Sequence, residues 1–325
     1  MTVLVLTRSD DQSAASVIDH IRAQGNRAFR LDTDRIPTEV RLVAEYNRAS
    51  RRARIASPDD QLDLSEVSAV WHRRLRIGGA LPESMDKQLR SASQLESRAT
   101  LLGMIASLQC FCLDPLPNIR HAQNKQLQLQ LAEQLGLTIP RTLITNEPSA
   151  VREFHRSCEG NIVAKMLSSF AIYDDGEERV VFTNAVAAED LEGLESLRFC
   201  PMTFQETVPK ALELRTVLIG DLGFTASIDS QEYERSRVDW RRDAVARLGA
   251  WRPYKLPNEI QTKLQALLDR FGLQYGAFDL ILTPDGRYVF LELNPSGEFF
   301  WLDRFAQLPI SNAIADVLLG KHRRT

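Results

Sequence analysis

The chain has 325 residues, 44 % hydrophobic and 26 % charged, which is the balance of a globular protein long enough for two or three domains. Forty basic residues against 43 acidic ones leave a formal net charge of −3, so no global field for nucleic acid or an anionic membrane is present. No stretch approaches the roughly 18 apolar residues of a membrane span, and the opening MTVLVLTRSDD lacks the basic start and long apolar run of a signal peptide.

Residues 2–7 (TVLVLT) read as a first strand. Helical periodicity follows from Ala15 to Gln24, with Gly25 placed as a C-terminal cap, and NRAFRLDTD makes a second strand. Strand, helix and strand joined by short loops are the grammar of a parallel sheet. RLVAEYN, RARIASP and SAVWHRRL read as further strands, and 83–109 as one long helix with Leu89, Leu95, Leu101, Leu102 and Ile105 on its apolar positions. The run Asp114-Pro115-Leu116-Pro117-Asn118 marks a break.

Beyond it, 121–135 reads as a helix ended by Gly136, IPRTLIT as a strand, 148–157 as a helix and NIVAKML as a strand. DDGEERVVFTN reads as a hairpin. MTFQETV and ELRTVLIGDLGFTASIDS supply three strands, the last two joined across Gly220-Asp221. A helix over 257–271 precedes YGAFDLIL and YVFLELN. Cys110, Cys112, Cys158 and Cys200 form no C-x-x-C, and the pair at 110–112 sits in an apolar stretch, so free buried thiols are expected. The nearest histidine, His121, supplies no second ligand pair for zinc, and the expected compartment is reducing and cytoplasmic.

The richest stretch is FLELNPSGEFFWLD, residues 290–303. Glu292 and Asn294 lie two apart on a strand and therefore on one face. GAFDLILTPDGRYVFLELN reads as a hairpin with Asp285-Gly286 as a two-residue tip, which sets Asp279 opposite Glu292; a three-residue turn would shift that register. Facing carboxylates repel, so a cation between them is expected, and a hard all-oxygen set suits magnesium. The competing reading is a solvated sheet face.

Cations elsewhere favour the first reading. Lys165 lies inside an apolar strand, where a lysine needs an anion to meet. Lys125 and Arg215 each read either as surface charges or as further anion ligands. There is no G-x-x-x-x-G-K-[ST], so this is not a P-loop site. The first strand does not lead into G-x-G-x-x-G, which argues against a dinucleotide enzyme despite Asp32 ending strand two.

The order NIRHAQNKQLQLQLAEQLGLTIPRTLIT, IVAKM, FQETV, ELR, FDLIL and LELNPSG resembles the ATP-grasp ligases. MTVLVLTRSDD, AFRLDTDRIPTEV, VWHRRL, SIDSQ and RVDWRR are similar to the ATP-grasp enzymes that cyclise ribosomal peptides of the microviridin type, the graspetide synthetases. The resemblance covers nearly the whole chain. It implies an α/β, ATP-grasp fold with an N-terminal parallel pre-ATP-grasp domain (1–115), a central small α/β subdomain (116–203) and a C-terminal antiparallel-sheet subdomain (204–325).

Carried over residue by residue, it implies that Lys125 and Lys165 hold ATP phosphates, and that Gln205, Glu206 and the backbone of Val208 form the hinge against adenine. Glu213 would reach the ribose, Arg215 would steady the transferring phosphoryl group and the acyl phosphate, and Asp279, Glu292 and Asn294 would carry Mg2+. The segment after Lys165, MLSSFAIYDDGEE, departs from the usual glycine-rich lid; only Gly176 is available, with Ser168 and Ser169 as substitutes.

The family implies ADP-forming cyclisation of a precursor peptide (leader plus acidic core), by ester or amide formation. A homodimer is a family-level expectation. An acidic peptide needs a basic landing surface, for which Arg73, Arg74 and Arg76, and Arg235, Arg237, Arg241 and Arg242, are candidates against a plain solvated face. Trp240 and Trp301 read as groove lining or core, and His72 as structural. Two other readings stand beside cyclisation: an ATP-grasp ligase adding an amino acid to a peptide or small molecule, and a non-catalytic ATP-binding protein of the same fold.

Overall fold

The computed structural model describes residues 1–47, 51–166, 171–174, 177–180, 183–232 and 248–324. Strand β1 (Thr2–Thr7) runs into helix α1 (Gln12–Ala23), whose N-cap Asp11 accepts from the Ala14 amide, and Gly25 closes it at φ +74°. β2 (Arg27–Asp32) returns parallel to β1. β3 (Arg41–Tyr46), β4 (Arg51–Ala56) and β5 (Gln61–Asp63) form a separate antiparallel sheet. β6 (Ala69–His72) and β7 (Phe111–Leu113) complete a parallel sheet of order β2-β1-β6-β7. The long helix is α2 (Lys87–Ala106), capped by Asp86; Leu101 and Ile105 are buried, whereas Leu89 and Leu95 face solvent.

The proline-marked break is the start of a helix, with Pro117 in the first turn of α3 (Leu116–Ala122), where a missing N–H costs nothing. The single helix expected over 121–135 is interrupted at Asn124. That residue caps α4 (Lys125–Gln134) by accepting from the Leu127 amide at 3.1 Å, and so places Lys125 at a helix start. β8 (Thr142–Thr145), α5 (Pro148–Ser157) and β9 (Ile162–Lys165) follow. The hairpin pairs β10 (Ala171–Asp174) with β11 (Glu177–Val180), its first strand starting earlier than expected. β12 (Asn184–Ala185) and β13 (Met202–Glu206) complete a second sheet of order β12-β9-β13-β8.

β14 (Leu212–Ile219), β15 (Leu222–Ile228), β16 (Arg252–Pro253), helix α6 (Asn258–Phe271), β17 (Tyr275–Leu282) and β18 (Tyr288–Asn294) build an antiparallel sheet of order β16-β15-β14-β17-β18 with α6 on one face. Helices α7 (Phe300–Phe305) and α8 (Ile310–Leu318) end the chain. One core joins β1 and α1 to α8, Phe299, Trp251 and the inner ends of β14 and β17. The first and last thirds of the sequence therefore share an interior. A second core lies under α3, α4 and α6, a third between the parallel sheet and α2, and a fourth beneath α5. No helix among the described residues is long and apolar enough to cross a membrane.

Candidate active site

The site occupies one face of the C-terminal sheet. Along β14, Leu214 and Leu218 enter the core under α6, while Val217 and Ile219 enter the core under α8. Alternation puts Glu213 and Arg215 on the α8 side, beyond the reach of that helix. In register beside them on β17 is Asp279, opposite Arg215, and Asp279 in turn faces Glu292 on β18, with Ala277 facing Asn294.

That last register is reached by a route different from the expected one. The hairpin tip is the three-residue turn, since the Thr283 amide donates to the Arg287 carbonyl and Gly286 stands at φ +85°. Near the turn Leu280 faces Phe290, and a bulge then shifts the pairing so that Asp279 faces Glu292. The extra residue, Leu291, cancels the effect of the longer turn.

Each charge here is held by an opposite one. Arg215 is buried, with Nη1 donating to Asp279 Oδ1 at 2.8 Å and Nη2 to the Glu298 carbonyl at 3.2 Å; its Nε is buried without a partner. Lys125 Nζ sits 2.9 Å from Glu292 Oε2, 2.9 Å from the Leu293 carbonyl and 3.3 Å from Asn294 Oδ1. Asn294 Nδ2 donates to Glu292 Oε1 at 3.1 Å. Burial opposes ionisation of Glu292, but the ammonium groups of Lys125 and Lys165 hold its carboxyl well below the usual carboxylate range. Lys165, at the end of β9 on the second sheet, therefore acts on the same point as Lys125.

The remaining expected residues that the structure describes have partners of their own. Gln205 is buried on β13 and donates to Thr142 Oγ1 at 2.9 Å; Glu206 Oε1 accepts from the Arg141 amide at 3.0 Å; Val208 follows, half-buried. Glu213 pairs with Lys210 at 2.9 Å. Arg73, expected on a peptide-landing surface, is buried at 4 % exposure, its guanidinium turned inward onto Ser13, Glu298 and the carbonyls of Ser296 and Gly297. Arg74 is more open and donates to Glu298 Oε2 at 2.6 Å. Arg235, Arg237, Arg241, Arg242 and Trp240, and the lid candidates Ser168, Ser169 and Gly176, lie outside the described residues. Trp301 is half-buried, edge-on to Trp251 at 4.8 Å.

Three side chains escaped the sequence reading. Gln128 is buried on α4 and grips both backbone groups of Leu293, the residue between Glu292 and Asn294: Nε2 donates to its carbonyl at 2.8 Å and Oε1 accepts from its amide at 2.9 Å. The H-x-x-x-x-x-x-Q run in an amphipathic helix carries no signal for this. Thr203, in register with Lys165 on β13, buries a hydroxyl with no hydrogen-bond partner. Tyr275 donates from its hydroxyl to the Gly297 carbonyl at 2.8 Å, pinning the loop after β18.

Beside that loop, His72, Asp114 and Tyr275 line a small cleft. His72 Nδ1 lies 3.2 Å from the Asp114 carbonyl and 3.2 Å from Cys112 Sγ, and burial lowers its pKa to about 4, leaving it neutral. Asp114 accepts from the amides of Gln274 and Tyr275 at 2.8 and 3.0 Å, yet burial raises it to about 7. The four cysteines are unpaired; Cys110 and Cys112 are half-buried, short of the burial expected of them. Among the described residues no group of three or more His, Cys, Asp or Glu could hold a metal alone. Asp279, Glu292 and the Asn294 amide offer hard oxygens only, a partial shell that needs further oxygens from a ligand.

The parallel sheet followed by two antiparallel sheets, with Lys165 on one, an Arg-Asp-Glu-Asn face on the other and Lys125 at a helix start beside it, is the ATP-grasp architecture. A family model described as the MvdD pre-ATP grasp domain matches residues 2–120. Macrocyclase MdnC of Microcystis aeruginosa MRC, solved with precursor peptide MdnA, is 51 % identical over 99 % of this chain and 100 % of its own, with a TM-score of 0.89. A Chryseobacterium gregarium RiPP-associated ATP-grasp ligase, solved with ADP and a leader and core peptide, is 34 % identical over 99 % and 98 %, at TM-score 0.94. Macrocyclase MdnB of Microcystis aeruginosa MRC is 40 % identical over 98 % and 99 %, at 0.82. No curated protein matches the chain. The chain belongs to the RiPP-associated ATP-grasp ligases.

Proposed function

We propose that this protein is an ATP-dependent macrocyclase of a ribosomally made precursor peptide, joining Asp or Glu side-chain carboxylates to Ser/Thr hydroxyls as esters or to Lys amines as amides. The observation that carries the reading is the Lys125–Glu292–Asn294 and Arg215–Asp279 set, gathered at one sheet face with each cation paired to a carboxylate. Similarity to macrocyclases solved with a precursor peptide supports the substrate class.

A carboxylate is a poor electrophile at neutral pH. Phosphoryl transfer from ATP makes it an acyl phosphate, which a hydroxyl or amine attacks with loss of phosphate, leaving ADP; Mg2+ supplies charge neutralisation for that transfer. Asp279, Glu292 and Asn294 would hold the ion through oxygen. Lys125 and Lys165 would bind phosphate oxygens, and the pairing of Lys125 with Glu292 keeps its ammonium aimed at the site. Gln205, Glu206, Val208 and Glu213 would bind the nucleoside. Arg215, fixed on two sides, would neutralise the oxygens of the transferring group.

Arg74, with Arg237 and Arg241, would receive the acidic core of the peptide. A homodimer is part of this proposal and is checked by light scattering. Unpaired cysteines fit a cytoplasmic enzyme.

The test is the intact mass of a short precursor peptide encoded beside this protein, incubated with the enzyme, ATP and Mg2+. Loss of about 18 mass units per ring with ADP appearing supports cyclisation. A gain matching one amino acid would instead favour ligation, and an unchanged peptide removes the reading. Glu292→Ala should abolish Mg2+-dependent turnover with the fold intact.

A further inference from the structure

We infer that Arg73 is a positioning residue for Arg215, acting through the backbone carbonyls of residues 296–298 and so tying the N-terminal parallel sheet to the reaction centre. The inference rests on the phosphoryl-transfer reading above.

Arg73 leaves the end of β6 and is buried, with a side chain 2 % exposed. A guanidinium there needs its donors met, and it spends them on one short loop. Nη1 donates to the Ser296 carbonyl at 3.0 Å and to the Gly297 carbonyl at 3.1 Å, while Nη2 pairs with the Glu298 carboxylate. Nε and Nη2 also bond Ser13 Oγ, at 3.2 and 3.1 Å, and Asp11 lies 3.6 Å away. Asp11 caps α1, so the anchor is a helix start packed against α8.

The same loop carries Arg215. Its Nη2 donates to the next carbonyl along, that of Glu298, at 3.2 Å. Nε has no partner, so among the described residues this bond and the one to Asp279 orient the guanidinium. The loop has no slack against it: a Cβ on Gly297 would stand 2.8 Å from Arg215 Nη2. Three successive carbonyls thus connect two arginines from different sheets. Without Arg73 the Ser296 carbonyl loses its donor and the Gly297 carbonyl keeps only the Tyr275 hydroxyl, so the Glu298 carbonyl is held less firmly and the bond that orients Arg215 weakens. The order is structural on the Arg73 side and catalytic on the Arg215 side, which is why Arg73 need not touch substrate.

The experiment compares wild type with Arg73→Lys, which keeps the charge beside Asp11 and Glu298 but cannot serve Ser13, both carbonyls and Glu298 together. ADP release is followed with ATP, Mg2+ and the precursor peptide, alongside thermal melting and hydrogen exchange of the amides of residues 296–300 without nucleotide. A lost restraint at the reacting group should lower kcat about a hundredfold while KM for ATP stays within about threefold. Loop exchange should quicken, melting should fall by a few degrees because Ser13 and the two carbonyls lose a buried donor while KM holds, and millimolar guanidinium should restore part of kcat in Arg73→Ala but none in Arg73→Lys. A kcat within threefold of wild type overturns the inference, as does a joint collapse of kcat, KM and melting temperature. If wild type itself releases no ADP, the functional reading fails; the exchange data then decide for Arg73 separately, and unchanged loop exchange overturns it.

Discussion

Gln128→Leu isolates the contribution of the α4 side chain that holds β18, the strand of Glu292 and Asn294 proposed above to carry Mg2+. The volume is nearly kept, so packing against α3 and β18 survives, but three hydrogen bonds go: to the carbonyls of Ala122 and Leu293 and from the Leu293 amide. The Leu293 carbonyl retains Lys125 Nζ at 2.9 Å, whereas the Leu293 N–H loses its acceptor in the interior. An orphaned buried donor costs about 1–3 kcal/mol and each lost bond about 0.5–1.5, giving roughly 2–4 kcal/mol in all. For a chain of this size that is a fall in melting temperature of about 3–6 °C. Because Leu293 lies between Glu292 and Asn294, the variant should also need more Mg2+ for half-maximal ADP release. Differential scanning calorimetry and a Mg2+ titration check both effects. An unchanged melting temperature with an unchanged Mg2+ midpoint would show that β18 is held by its pairing with β17 alone.

Gly297→Ala would bring a methyl group 2.6 Å from Ala277 Cβ and 2.8 Å from Arg215 Nη2, so ADP release should drop sharply for about 1–3 kcal/mol of stability, read by kinetics and melting; normal turnover would mean the loop has room to move. Thr203→Val removes a buried hydroxyl that has no partner and should raise the melting temperature, while a weaker nucleotide affinity by calorimetry would show that the hydroxyl serves the ligand. His72 and Asp114 give opposite pH dependences. Folded His72 titrates near 4 against 6.5, so between those values the unfolded chain takes a proton the folded chain refuses, and stability falls with falling pH. Asp114, raised to about 7 from 3.8, takes a proton only when folded, so stability rises with falling pH. Each is worth about 3–4 kcal/mol and they nearly cancel. His72→Gln should leave the Asp114 contribution alone, and its melting temperature should climb relative to wild type between pH 7 and 4.5; parallel profiles would refute the pairing.

Strands and helices with strong periodicity were legible in the sequence because one residue pattern sufficed for each: β1, α1, β2, α5, β14, β15, α6 and the β17–β18 pair fall where alternation and caps place them. The pairing of Asp279 with Glu292 was expected from a two-residue tip that the structure does not have, and it holds because the Leu291 bulge cancels the longer turn. Side chains of opposite charge on β14 and α4 force those two carboxylates inward, and a strand that must present both Glu292 and Asn294 to Lys125 can absorb a longer turn only by bulging elsewhere, as it does at Leu291. What strict alternation cannot show is the bulge itself, since it reverses the phase: Phe290 and Leu293, three apart, both enter the core under α6, while Glu292 and Asn294 face the other way.

The arginines show the opposite limit. VWHRRLRIGG reads as a basic surface because three arginines in four residues are usually solvated, and nothing local marks one of them as buried. The decisive partners of Arg73 lie more than 200 residues away, in a loop whose carbonyls carry no sequence signature at all. Backbone acceptors are invisible to motif reading, yet here they meet Arg73, Tyr275 and Arg215 in turn. The consequence reaches the neighbour: with Arg73 turned inward and Glu298 held between the two, Arg74 is the member of the pair left open toward solvent, at 37 % side-chain exposure. If Arg74 receives the acidic core as proposed, an incoming carboxylate would meet a guanidinium already shared with Glu298, so acidic side chains of the peptide would compete with an internal carboxylate for the same fork.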